Sequence, residues 1–313
     1  MTLGPSISKA VLLCLTLLML SACTNSKLVI GPLYNRLDDQ MRGEFHKLAK
    51  WNDEQIEHFE LRAGTFHVWN RKNELTKYAR LLHSIQTSIV DRGTTKPEDI
   101  KNWINTAEAH SRDARLCHPV NFSYDLMQTL TDKQVNFIEK RFASERKKNF
   151  ARYSKFTPEQ RRQRRVENVV KWAGRIGFDF NDTQVLMLEE AMGKQVSLRR
   201  QYYTLVDAWA KELFRIARKQ ESPTYQQDMK RQVNKLWTLL ENAHPEEWQA
   251  NRDLWRDFGF EFVGSLSYDQ RVHASNWLKK MGSTLNDISK VTPSFKVQND
   301  PTHGCQVGRA VSG

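Results

Sequence analysis

Beyond its first twenty or so residues the chain has no long apolar run, and nowhere does it show the apolar–polar alternation of a half-buried strand. The first absence predicts a water-soluble body rather than a bundle of membrane spans. The second argues against β structure. Catalytic signatures are missing too. Nine histidines supply neither H-E-x-x-H nor an i, i+4 pair on one helix, and there is no G-x-S-x-G and no glycine-rich phosphate loop. Cys117 and His118 are neighbours in sequence, which does not position a thiol for a base. A zinc set can be drawn from Cys117, His118, His303 and Cys305, but a disulfide is the simpler use of those cysteines. Glu189 and Glu190 read as an acidic pair on a solvated face. No cofactor, no metal and no catalytic residue is therefore expected. A cell-wall hydrolase built on paired carboxylates is the enzyme alternative.

What is present begins with an address. Lys9 precedes an apolar run from Ala10 to Leu20, too short to span a bilayer and fitting the core of a signal peptide. The run ends in Leu20-Ser21-Ala22-Cys23, which matches the lipobox of bacterial lipoprotein precursors. Residues 1–22 are thus expected to be removed and Cys23 to carry acyl chains, each buried methylene adding about 0.8 kcal/mol of membrane binding. Thr24 follows Cys23 where an inner-membrane retention signal would place Asp, so the outer membrane, facing the periplasm, is the expected site. Residues 23–50 would form the tether, 51–290 the body and 291–313 an irregular tail. Of four cysteines, Cys14 leaves with the signal and Cys23 is lipidated. Cys117 and Cys305 remain as a candidate disulfide, in a compartment where such bonds persist; two unpaired thiols are the alternative.

From Asn52 to about Lys290 the periodicity is helical almost throughout. Leu75, Tyr78, Leu82, Ile85 and Ile89 step by three and four. The longest stripe runs Val185, Leu188, Met192, Val196, Tyr203, Val206, Ala210, Leu213 and Ala217. It predicts one helix over about 182–220, about 50 Å long at 1.5 Å per residue. Breaks are expected at Asp91-Arg92-Gly93, His118-Pro119, Ser222-Pro223 and His244-Pro245. The fold class is all-α: an elongated body of stacked helical hairpins with one helix much longer than the rest.

Five segments share a local signature in which an apolar residue precedes Asn, Thr or Ser, with Gln three positions further on. The pairs are Asn52 and Gln55, Thr131 and Gln134, Thr157 and Gln160, Asn181 and Gln184, and Ser267 and Gln270. Each is a capping box, in which the side-chain oxygen takes a first-turn N–H and the Gln reaches back. Five helix starts are marked in this way, and each cap contributes about 1 kcal/mol. A second reading is that these starts line a common binding face.

At these residues the chain resembles an uncharacterised family of helical proteobacterial lipoproteins, through Cys23, Tyr34-Asn35, Leu37-Asp38-Asp39, the helix opened by Asn52 and the stretch from Leu130 to Arg165. More distantly it is similar to the Spy and CpxP periplasmic chaperones, whose Leu-Thr-x-x-Gln signature is met by Leu130, Thr131 and Gln134. The second resemblance implies a surface that holds unfolded clients or a sensor kinase.

Charge is uneven. The formal net is +12, and losing residues 1–22 removes one lysine. Between Glu139 and Arg175 thirteen Lys and Arg face four Asp and Glu, a local net of +9. Lys147, Lys148, Arg152, Arg161, Arg162, Arg164 and Arg165 form the candidate basic face, with a plain solvated surface as the alternative. An exported chain does not meet nucleic acid. The partners expected are the membrane through Cys23, and anionic envelope components or unfolded envelope proteins through the basic face. Nine tryptophans are read as core packing, or for some of them as a groove for an apolar or sugar ligand. The expected function is a non-catalytic binding or chaperone-like envelope factor, with a scaffolding subunit as the alternative.

Overall fold

The computed structural model describes residues 34, 36–90, 95–117 and 123–291. The signal segment, Cys23, Asn35, the breaks expected at Asp91-Arg92-Gly93 and His118-Pro119, and the tail with Cys305 lie outside the described residues. No strand occurs among the described residues, and the fold is elongated, multi-helix and all-α. No described helix is long and apolar enough to cross a membrane.

The chain enters through α1 (Leu37–Leu48) and then α2 (Asp53–Trp69). A π-helical segment, Asn70–Glu74, joins α2 to α3 (Leu75–Ile89) without interruption, so the three form one rod of about 55 Å. Four helices follow: α4 (Pro97–Leu116), the short α5 (Ser123–Gln128), α6 (Asp132–Ser154) and α7 (Pro158–Arg175). The second half comprises α8 (Asp182–Lys194), α9 (Arg199–Ala217), α10 (Tyr225–Lys235), the brief α11 (Leu239–Ala243), α12 (Pro245–Ser265) and α13 (Tyr268–Lys290). The turns at Ser222-Pro223 and His244-Pro245 fall where expected.

The single long helix expected over about 182–220 is two helices, α8 and α9, parted at 195–198. The apolar stripe continues through the break because its two halves serve different cores. Leu188 and Met192 pack with Val166, Trp255 and Phe258, between α7, α8 and α12. Val206, Ala210 and Leu213 pack instead with Leu130, Val135, Met229 and Val233, between α6, α9 and α10. Asn251 on α12 holds the break open. Its amide accepts from the Val196 N–H at 2.9 Å and donates to the Val196 carbonyl at 2.9 Å, taking both groups that a continuous helix would use.

A third core lies along α3 and α13, where Leu75, Met281, Leu285 and Ile288 bury Tyr34 against the rod. Here the π segment turns polar groups inward. The Tyr34 hydroxyl donates to Asn70 Oδ1, and the Arg71 guanidinium lies 4.9 Å from the Tyr34 ring. Arg71 also donates to His67 Nε2 at 3.1 Å and to the Ile288 carbonyl at 3.3 Å, near the end of α13. Asn73 and Thr76 donate to the carbonyls of Trp69 and Lys72, one turn before them.

Candidate ligand-binding cavity

All five capping boxes form as the spacing predicts, with both reciprocal hydrogen bonds present in each. Four of them go further and meet in pairs. Gln55 and Gln134 exchange amide hydrogen bonds at 3.2 and 2.8 Å, and Gln184 and Gln270 do the same at 2.9 Å in each direction. Every amide also donates to the carbonyl two residues before its partner's N-cap: Thr129, Lys50, Ser265 and Asp179. Gln55 and Gln184 are buried. The start of α2 is thereby clasped to that of α6, and the start of α8 to that of α13. The fifth box, Thr157 and Gln160, is exposed, and among the described residues its two side chains bond only within the box.

The seven basic residues divide among separate tasks. Lys148 pairs with Glu145 at 2.9 Å and Arg162 with Glu159 at 2.5 Å, both within their own helix. The Arg152 side chain donates to Asn149 at 2.6 Å. Arg161 donates to the carbonyls of Tyr153 and Phe156 and lies 4.1 Å from the Tyr153 ring, so it caps the end of α6. Arg164 lies over Phe156 at 3.9 Å. Lys147 and Arg165 border two different cavities.

The larger cavity, about 830 Å³, opens at the α8–α9 break and is walled by α4, α9, α11 and α12. Trp237, Trp248 and Trp255 line it, all half-buried, with Tyr202 deeper in. Burial pushes the Tyr202 hydroxyl up to about 12, so it stays protonated and can donate. The guanidiniums on the wall differ in their partners. Arg252 meets Glu108 at 2.5 Å and Arg256 meets Asp253 at 2.7 Å. Arg165 is exposed and donates to neutral Gln195 at 2.5 Å. Arg199 reaches the Tyr203 hydroxyl at 3.4 Å, and its Nε is buried without a hydrogen-bond partner. Periodicity places Trp237 and Trp255 on helices, yet these two line a cavity and Trp209 fills a core. Nothing in the sequence marks Arg199 or Asn251 as cavity residues, because both depend on the break.

A smaller cavity, about 550 Å³, lies between α6 and α9. At its base Arg146 is buried, pairs with Asp207 at 2.9 Å, donates to the Tyr203 carbonyl and lies 4.4 Å from the Tyr203 ring. Arg146 belongs to the basic stretch but not to the seven residues singled out from it. Buried basic residues look like exposed ones in sequence.

Cys117 is buried against Trp69 and is disulfide-bonded, while Cys305 lies outside the described residues. Among the described residues no three His, Cys, Asp or Glu side chains gather closely enough to share a metal ion. No curated protein and no solved structure matches the chain. A family model does match, over residues 48–243, and covers both members of the first glutamine clasp and the α8–α9 break. The chain belongs to this family, the family of unknown function DUF6279.

Proposed function

We propose that the protein is a non-catalytic, chaperone-like binding factor of the cell envelope, tethered by acyl chains on Cys23 and taking its ligands at the cavity beside the α8–α9 break. The observation that carries the binding reading is the cavity itself. It is of ligand size, with half-buried tryptophans and guanidiniums on one wall. Trp255 also packs on the core of α7, α8 and α12, but Trp237 and Trp248 belong to no core cluster among the described residues, and a solvated charged face would not have gathered them. The address rests on the lipobox. It is supported by the disulfide at Cys117, a bond that persists in oxidising compartments. Tyr34 is buried eleven residues after Cys23, a span that reaches at most about 40 Å. The end of the body where α13 meets the π segment would then face the membrane.

The test has two parts. A Cys23→Ser protein should leave the membrane fraction, and unchanged membrane association would refute the tether. Purified protein in molar excess should suppress aggregation of a chemically denatured client, and Arg165→Glu with Trp248→Ala, both at this cavity, should weaken it severalfold. No suppression at molar excess would overturn the chaperone-like reading. Stable co-purification with a single partner would move it towards a scaffold.

A further inference from the structure

The cavity carries an uncompensated charge, which narrows what it can hold. Of the five guanidiniums on its wall, Arg252 and Arg256 have carboxylates of their own and Arg115 lies 5.9 Å from the Trp237 ring within the field of Glu241, whereas Arg165 and Arg199 have no carboxylate among the described residues. Both stand at the broken-helix end, since Arg165 is held by Gln195 and Arg199 follows four residues later. A half-buried guanidinium that lacks a counter-ion is costly, and Arg199 is one; Arg165, exposed, adds a second guanidinium without a carboxylate at the same end. The fork of an arginine matches phosphate oxygens, and such charge-assisted bonds are about twice as strong as neutral ones. Elsewhere on the wall stand Trp237, Trp248 and Trp255, half-buried, with Leu239 and Leu240 beside them. An 830 Å³ space is far larger than a bare phosphate needs.

From this combination of an aromatic wall with two guanidiniums that have no carboxylate among the described residues, we infer that the cavity binds a phosphate-bearing amphiphile, its phosphate on Arg165 and Arg199 and its apolar part against the tryptophans. The inference deepens the binding reading above and rests on it, but it does not depend on the tether. Zwitterionic lipids are disfavoured because their cation would meet the same two guanidiniums. A free phosphate is disfavoured because it leaves the tryptophans wet.

Calorimetric titration of the full mature chain tests this with three probes: monomeric dihexanoyl phosphatidic acid, dihexanoyl phosphatidylcholine and inorganic phosphate. The phosphatidic acid should bind at least tenfold more tightly than either of the others. Arg165→Gln with Arg199→Gln should weaken it at least tenfold, while Lys279→Gln with Lys290→Gln, an equal loss of charge on α13, should not. If the double variant fails to fold, Arg165→Lys alone keeps the charge, loses the fork and should still weaken binding severalfold. Trp248→Ala should weaken phosphatidic acid and leave inorganic phosphate unchanged. Equal binding of phosphatidylcholine would overturn the assignment of the anion, and equal binding of inorganic phosphate that of the apolar wall. No binding by any probe would overturn the whole inference. Were aggregation suppression retained in that case, the general binding role would survive and only the ligand class would fall.

Discussion

Gln55 and Gln134, 79 residues apart, each complete a capping box and then hydrogen-bond to one another, and the same arrangement recurs between Gln184 and Gln270. Each carboxamide oxygen accepts from its own N-cap N–H and from its partner's amide. Each amide nitrogen donates to its partner's oxygen and to a carbonyl of the opposite strand of chain. A local cap thus doubles as a long-range clasp. No donor or acceptor of the pair is left over, which a buried amide requires.

The clasp makes the five boxes unequal in energy. Gln184→Ala should destabilise the protein by about 2–4 kcal/mol, because it strands the Gln270 amide, the Asn181 N–H and the Ser265 carbonyl at a buried site, although Asn181 still caps the helix. Gln160→Ala leaves Thr157 as the N-cap, removes only the exposed reach-back bond to the Thr157 N–H and should cost at most about 1 kcal/mol. In a double-mutant cycle, Gln55→Ala with Gln134→Ala should show a coupling of about 0.5–3 kcal/mol. Urea unfolding measures all of these. Equal losses at Gln160 and Gln184, or additivity at the first clasp, would show the cross-chain bonds to be energetically idle.

The start of α8 is placed by a second device close to the clasp. Gly177 ends α7 in the left-handed region, at φ 75°, with the Phe178 N–H returning to the Ala173 carbonyl at 2.9 Å. His273 of α13 covers it and bonds to the Ile176 carbonyl at 2.8 Å. A Cβ at Gly177 would stand 2.9 Å from the imidazole Cε1. Gly177→Ala should therefore cost about 1–3 kcal/mol, combining left-handed strain with displacement of the ring. Gly43, inside α1 with nothing within 4 Å of a new Cβ, makes the contrast. Gly43→Ala should stabilise by about 0.4–1 kcal/mol. Thermal unfolding of the two variants should move in opposite directions.

What the sequence revealed follows the range of the interaction involved. The caps were legible because a cap is written in four consecutive residues. Their pairing was not, since it joins residues 79 and 86 positions apart. A signal nonetheless existed: Trp51-Asn52-Asp53-Glu54-Gln55 echoes Phe180-Asn181-Asp182-Thr183-Gln184, and Thr129-Leu130-Thr131 echoes Ser265-Leu266-Ser267. The break between α8 and α9 had no local mark, because Gln195 to Leu198 contains neither proline nor glycine and the stripe passes through it. A side chain 55 residues away makes that break, and the cavity depends on it. The inward-turned π segment was equally hidden, since its Asn, Arg, Lys, Asn and Glu look like any solvated turn of helix.

That segment predicts an unusual pH response. Glu74 is fully buried, with one carboxylate oxygen 2.9 Å from Lys77 Nζ and the other without a hydrogen-bond partner. Burial raises its pKa above the ordinary 4.5, and the hydrogen bond and charge of Lys77 recover only part of the shift. At Lys77 the balance is reversed: burial opposes the charge, but Glu74 and Asp113, the latter at 3.0 Å, outweigh it. For an acid raised in the folded state, the favourable contribution is complete below pH 4.5 and is lost as pH climbs through the folded-state value. His110, packed edge-on to Tyr78, acts in the opposite direction. Burial, then Lys77, lowers its pKa, so its contribution is complete above 6.5 and is lost as pH falls. The two partly cancel in the parent protein. Glu74→Gln keeps an acceptor for Lys77 and removes the ionisation, leaving the histidine's slope alone. The stability of the variant relative to the parent, from urea unfolding at successive pH values, should therefore grow as pH rises above 4.5. A difference that stays flat or shrinks would mean that the ion pair with Lys77 prevails over burial at Glu74.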